Sequence, residues 1–151
     1  MSNEQQALQS TRPTLVAYSP KVDLVQVRLN PGKYPRICST PHEEAVKRMV
    51  PIVYAAFLYR GQEADSNRIR FIAAALVDEI VADPHFGLGN LSWFEIGMVI
   101  RRAVLGGSKE LYGVCVSSLY TALIDYVKTE GAEADKKAFQ RKREENEFTP
   151  F

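Results

Sequence analysis

The chain has 151 residues, of which 46% are hydrophobic and 25% charged, the size and composition of one globular domain that buries roughly two-thirds of its unfolded surface. Its 19 basic and 18 acidic residues nearly cancel, which argues against a surface built throughout to grip nucleic acid and leaves room for a local basic patch. Two cysteines far apart, no apolar run near the ~20 residues of a membrane span and no secretory leader pattern point to a reduced, cytoplasmic protein with no membrane partner.

Residues 1–13 are polar and without periodicity, and read as a flexible leader. Over 14–39, Val25, Val27 and Leu29 alternate with Gln26 and Arg28, which predicts a short strand or extended arm crossing a helical body; Ser19-Pro20 is equally compatible with a short helix. The helical domain spans 40–131. Thr40-Pro41-His42-Glu43 is a start signal, with Thr40 as cap, Pro41 in the first turn and Glu43 completing a capping box. The helix that follows carries Val46, Met49, Val50, Val53 and Phe57 on one face, is expected to kink at Pro51 and stops at Gly61. A second helix over 66–82 buries Ile69, Ile72, Ala73, Leu76 and Ile80 and turns Arg68, Arg70, Asp78 and Glu79 to solvent.

Ser92 and Glu95 form another capping box, flanked by Leu91 and Ile96 as a hydrophobic staple. The third helix points Ile96, Val99, Ile100, Ala103 and Val104 inward and Arg101 and Arg102 outward, and stops at Gly106-Gly107. The fourth, capped by Ser117, presents Leu119, Ala122, Leu123 and Tyr126 on one face and ends near Gly131. Residues 132–151 are a charged helix or tail, since 132–147 hold five basic and five acidic residues with few apolar ones. The fold class is therefore all-α, four main helices in a compact bundle with an extended N-terminal arm and a charged C-terminal helix or tail.

No constellation supports catalysis. His42 and His85 stand apart, HExxH and the nucleophile elbow are absent, and Gly106-Gly107-Ser108-Lys109 has the glycines and lysine of a phosphate loop in the wrong order with no strand before it. Cys115, between Val114 and Val116, reads as a buried structural thiol. Neither a metal nor a cofactor is expected, and only a deep pocket gathering His85, Glu95 and Cys115 would restore an enzyme reading. The helix, turn and helix over 92–128 is a poor DNA-reading unit, because its second helix lacks Arg, Asn and Gln and its turn is long. Arg68, Arg70, Arg101, Arg102 and Lys109 are the candidate phosphate contacts. Tyr112, Phe148, Pro150 and Phe151 are the candidate partner contacts.

Two resemblances set a context. Glu144 to Phe151, an acidic run followed by Phe-Thr-Pro-Phe and a carboxylate, resembles the acidic tail of bacterial single-stranded DNA-binding proteins, with Thr149 where that family has an aliphatic residue. That resemblance implies a terminal Phe docking in a pocket of a replication or repair enzyme. Leu91-Ser92 with Glu95-Ile96, then Gly107, Tyr112 and Gly113, then Leu123 and Tyr126, resembles an uncharacterised family of small helical proteins from phages and conjugative elements of gut bacteria, although Gly107 and Gly113 stand further apart here. The resemblance implies mobile DNA as the setting and no residue roles. Together they lead to the expectation of a non-enzymatic accessory protein in phage or mobile-element DNA replication, with a replication protein as partner and DNA as a further candidate. The alternative is a structural or assembly protein whose helical body self-associates into a homo-oligomer without nucleic acid.

Overall fold

A computed structural model describes residues 23–83, 87–106 and 113–148. The expected leader, the first part of the arm, His85, Lys109, Tyr112, Pro150 and Phe151 lie outside the described residues, as does the side chain of Phe148.

The described part of the arm is a helix rather than a strand. Helix α1 covers Leu24–Leu29, capped by Asp23, whose Oδ1 accepts the Val25 N–H at 3.0 Å. Val25, Val27 and Arg28 are all buried, so the residues that alternate in sequence meet protein on more than one side of the helix. Over six residues a period of two does not separate a strand from a helix enclosed in this way. Among the described residues, extended pairing survives only as an isolated antiparallel bridge between Arg36 and Ser92, flanked by hydrogen bonds from Ile37 N–H to Leu91 and from Trp93 N–H to Pro35, both 3.0 Å. A 3-10 turn at Ile37–Ser39 leads to the bundle.

Helix α2 is His42–Tyr59, and its start departs from the predicted capping box. Thr40 is drawn into tertiary contacts instead: its hydroxyl donates to the Arg36 carbonyl and accepts from the Trp93 indole N–H, each at 3.0 Å. Pro41 occupies the cap position without a side-chain hydrogen bond. Pro51 stands on the exposed side of the helix, as does Lys47, whose carbonyl loses the bond from position 51. The end follows the sequence signal. Gly61 takes φ +66°, with Gly61 N–H to Leu58 at 3.1 Å and Gln62 N–H to Phe57 at 3.0 Å, the paired bonds of a Schellman motif.

Helix α3 spans Ser66–Ala82, as its apolar period predicts, and Asp65 caps it by accepting the Arg68 N–H at 2.7 Å. After a 3-10 turn at Leu88–Asn90 comes α4, Trp93–Leu105, with the predicted Ser92–Glu95 capping box in place. Helix α5, Val116–Tyr126, begins one residue after Cys115, so Cys115 and Ser118 make the cap in place of Ser117. The predicted stop at Gly131 is absent. The chain stays helical through a π-turn at Val127–Gly131 and continues as α6, Ala132–Phe148. Thr129 donates from its hydroxyl to the Asp125 carbonyl at 2.8 Å, a side chain inserted into the ladder where the wider turn begins.

Helix α2 packs on α3 and α4, and α5 packs on the same two, so consecutive α3 and α4 stand diagonally in a square bundle. The Thr40–Trp93 bond puts the starts of α2 and α4 at one end, and the 2.8 Å contact of His42 with Asp78 puts the end of α3 there too. The core between them is apolar, with Met49, Val53, Phe57, Leu76, Ile80, Ile96, Ile100, Leu119 and Leu123 among its buried residues. Helix α1 lies against α6, and their buried residues, Val25 and Val27 with Ala134 and Ala138, stand apart from the main cluster. Among the described residues there is no strand, and no helix is long and apolar enough to cross a membrane.

Candidate functional site

Among the described residues, the buried polar side chains Arg28, Ser92 and Glu95 converge where α5 turns into α6. Glu95, in the first turn of α4, is 1% exposed. A carboxylate at that depth needs donors for both oxygens, because burying an unpaired charge is prohibitive. Its Oε2 accepts from the Tyr126 hydroxyl at 2.6 Å and from Arg28 Nη2 at 2.8 Å. Its Oε1 accepts from the Ser92 N–H at 3.2 Å and the Ser92 hydroxyl at 3.0 Å, while the Glu95 N–H returns to Ser92 Oγ at 3.1 Å. The local capping box and the long-range ion pair thus share one side chain.

Arg28 reaches Glu95 from α1 with its own side chain 6% exposed, and its Nη1 meets Asp135 of α6 at 3.1 Å. Its Nε is buried without a hydrogen-bond partner. The Arg28 carbonyl accepts from Arg36 Nη2 at 3.2 Å, which ties the start of the extended segment to the same corner. Gly131 makes the approach feasible, since a Cβ there would stand 3.1 Å from the Tyr126 carbonyl oxygen, 3.2 Å from its ring and 3.4 Å from Arg28 Nη2. Burial, and after it the Glu95 charge, push the Tyr126 phenol well above its ordinary pKa, so Tyr126 remains a neutral donor. Every carboxylate oxygen of Glu95 is engaged with protein donors, and the arrangement locks four segments together.

Beside this corner a groove of about 600 Å³ lies between α4 and α5, lined by Val99, Arg102, Cys115, Ser118, Asp125 and Glu130 among others. Cys115 is exposed rather than buried, a correction to its sequence reading, because it sits in the helix cap instead of on the apolar face. Hydrogen bonds from the Ser118 side chain and backbone lower its thiol pKa, partly countered by burial. Glu95 does not line the groove, so the pocket that would have joined it to Cys115 is not formed by these two. Among the described residues no cluster of three or more His, Cys, Asp or Glu is placed to hold a metal ion.

The predicted phosphate contacts fall on different sides of the bundle. On α3, the Arg68 guanidinium lies 5.4 Å from the centre of the Phe57 ring, and Arg70 is exposed. On α4, Arg102 Nη1 pairs with Glu130 Oε2 at 2.9 Å, and Arg101 is half-buried with an unpartnered Nε. Since α3 and α4 are diagonal, these four arginines do not form one strip.

Sequence reasoning missed the Arg28–Glu95–Tyr126 set. Glu95 reads locally as a cap, yet Trp93, Ile96, Gly97, Met98, Val99 and Ile100 around it are all buried. A carboxylate inside a helix that is apolar on nearly every side is the signal that a buried cation must meet it. Comparison of the chain with protein-family models, curated proteins and solved structures finds no match.

Proposed function

We propose that this chain is a non-enzymatic accessory protein of phage or mobile-element DNA replication, working in the cytoplasm by binding a replication protein. The observation that carries the non-enzymatic part is the state of Glu95: the buried carboxylate spends both oxygens on Arg28, Tyr126 and Ser92, and holds the fold together rather than awaiting a substrate. The replication setting is supported by the sequence resemblances of the stretch from Val46 to Tyr126 and of the acidic Phe-Thr-Pro-Phe end. Phe148, Pro150 and Phe151 then act as the partner contact, with Tyr112 as an additional one.

Cross-linking of the full chain in cells, compared with a chain ending at Glu147, tests this. Replication or repair enzymes that disappear from the cross-linked set on truncation are the expected result. An unchanged set removes the tail from the reading. A second reading, self-association into an assembly, is favoured by the exposed Tyr54 and Leu58 on α2 and Phe71 and Val81 on α3. Light scattering separates the two: a monomer or dimer is expected of the accessory protein, and a large homo-oligomer indifferent to DNA of the assembly protein.

A further inference from the structure

We infer that the outward face of α6 is a binding surface for single-stranded nucleic acid, with Lys136 and Arg143 on phosphates and Phe139 as the platform on which a base stacks. Residues 136–143 hold five basic side chains, Lys136, Lys137, Arg141, Lys142 and Arg143, and no acidic one. No other stretch of this length in the chain is as basic. All five are exposed, and α6 is exposed on every side from Phe139 to Glu147. Lys136, Phe139, Gln140 and Arg143 recur at helical spacing on one stripe, opposite the buried Ala134 and Ala138 that face α1. Phe139, 67% exposed in the middle of that stripe, has no core to serve.

Charge complementarity selects a polyanion, and the flanks select which one. Lys136 and Lys142 make no ion pair among the described residues. The pairs that do exist, Lys137–Glu133 at 3.7 Å, Arg141–Asp23 at 3.4 Å and Arg143–Glu147 at 3.6 Å, are solvent-exposed and weak, so phosphate competes with them readily. An anionic membrane requires a broad apolar face, and Phe139 is the one large exposed apolar side chain on the described part of α6. A duplex that took α6 into its major groove, about 12 Å wide, would bring Glu144, Glu145 and Glu147 between two rows of phosphates. A single strand bends away from those carboxylates and offers its bases to Phe139, the combination of cations and stacking used by sequence-tolerant single-strand binders.

The proposal rests on the replication reading for its biological setting only. Fluorescence anisotropy with the full-length chain tests it, using labelled oligothymidylate, a duplex of equal length and vesicles of phosphatidylserine over a salt series. The expected result is preference for the single strand and affinity that falls as salt rises. Lys136→Gln with Arg143→Gln should flatten the log–log salt slope by about 0.7 for each phosphate that is no longer neutralised. Phe139→Ala should weaken binding about tenfold with little change in that slope. Unaltered circular dichroism melts verify that these exposed substitutions leave the fold intact. The proposal is overturned by absent binding at low salt, by tighter binding to duplex or vesicles, or by weakening that follows Arg68→Gln with Arg70→Gln instead. Absent DNA binding with tail-dependent partner capture intact would overturn this inference alone, whereas the converse would overturn the tail reading alone.

Discussion

The body of the bundle and the corner where α5 becomes α6 are held by different physics. In the body, Leu76, Ile96, Leu119 and Leu123 are fully buried among other aliphatic side chains, and each adds a share to a common apolar core. At the corner, Arg28, Glu95, Tyr126 and Ser92 satisfy one another through directed bonds, and the apolar contact between α1 and α6 relies on small residues such as Ala134 and Ala138. The body distributes its stability, so one truncation leaves a cavity. The corner concentrates it, so one substitution strands a buried charge.

Glu95→Gln tests that contrast most severely. Leaving buried Arg28 with only the exposed Asp135 opposite it should cost about 3–5 kcal/mol in urea denaturation. Leu123→Ala, in the body, should cost a comparable ~2–5 kcal/mol by opening a cavity. Hydrogen exchange distinguishes them: the Glu95 variant should expose α1 and α6 while α2 to α5 stay protected, whereas the Leu123 variant should weaken protection across the bundle. Uniform loss of protection in both variants would dissolve the distinction.

Tyr126→Phe probes the corner more gently, at about 1.5–3 kcal/mol for a hydrogen bond to a charged group. It also carries a pH signature. The folded-state pKa of Tyr126 is raised, so its contribution is present in full below the ordinary value of 10.0 and is lost as pH rises past it. The native chain should lose stability above pH 10, and the Phe variant should lose less over the same range. Equal alkaline slopes for the two would mean that Tyr126 is not the group responsible.

Gly131→Ala has the smallest expected effect. Alanine gains about 1 kcal/mol of helix propensity, but its Cβ would press on the Tyr126 carbonyl and ring and on Arg28. We expect the crowding to win by about 1 kcal/mol in thermal unfolding. A more stable Ala variant would show that the corner has slack.

Features that depend on neighbours in sequence were legible. The apolar period and bounds of α3, the Ser92–Glu95 box and the Gly61 termination all form as read, because each is satisfied within a turn or two of chain. Local signals failed where a distant residue claimed the same group. Thr40 gave up its cap for Trp93, and the stop expected at Gly131 gave way to a π-turn that lets Arg28 pass close. The alternation of Val25, Val27 and Leu29 points to a strand only until α6 encloses the segment, which leaves a short helix buried on more than one side. Of the candidate site residues, sequence identified cations by type but not their arrangement, and it passed over the Lys136, Phe139 and Arg143 stripe of α6 because a balanced charge count over 132–147 concealed the run of five positive side chains in 136–143.

Sequence alone determined that this chain is helical, that four apolar faces meet in one core and where three of the helices start or stop, because hydrophobic period and capping act over a few residues. Tertiary structure alone decided that α3 and α4 stand diagonally, that α5 runs on into α6 and that Arg28, Glu95 and Tyr126 share a buried corner. The diagonal depends on which apolar faces meet, and the corner on pairing a buried charge across segments far apart in the chain; no local pattern encodes which distant face or cation will arrive.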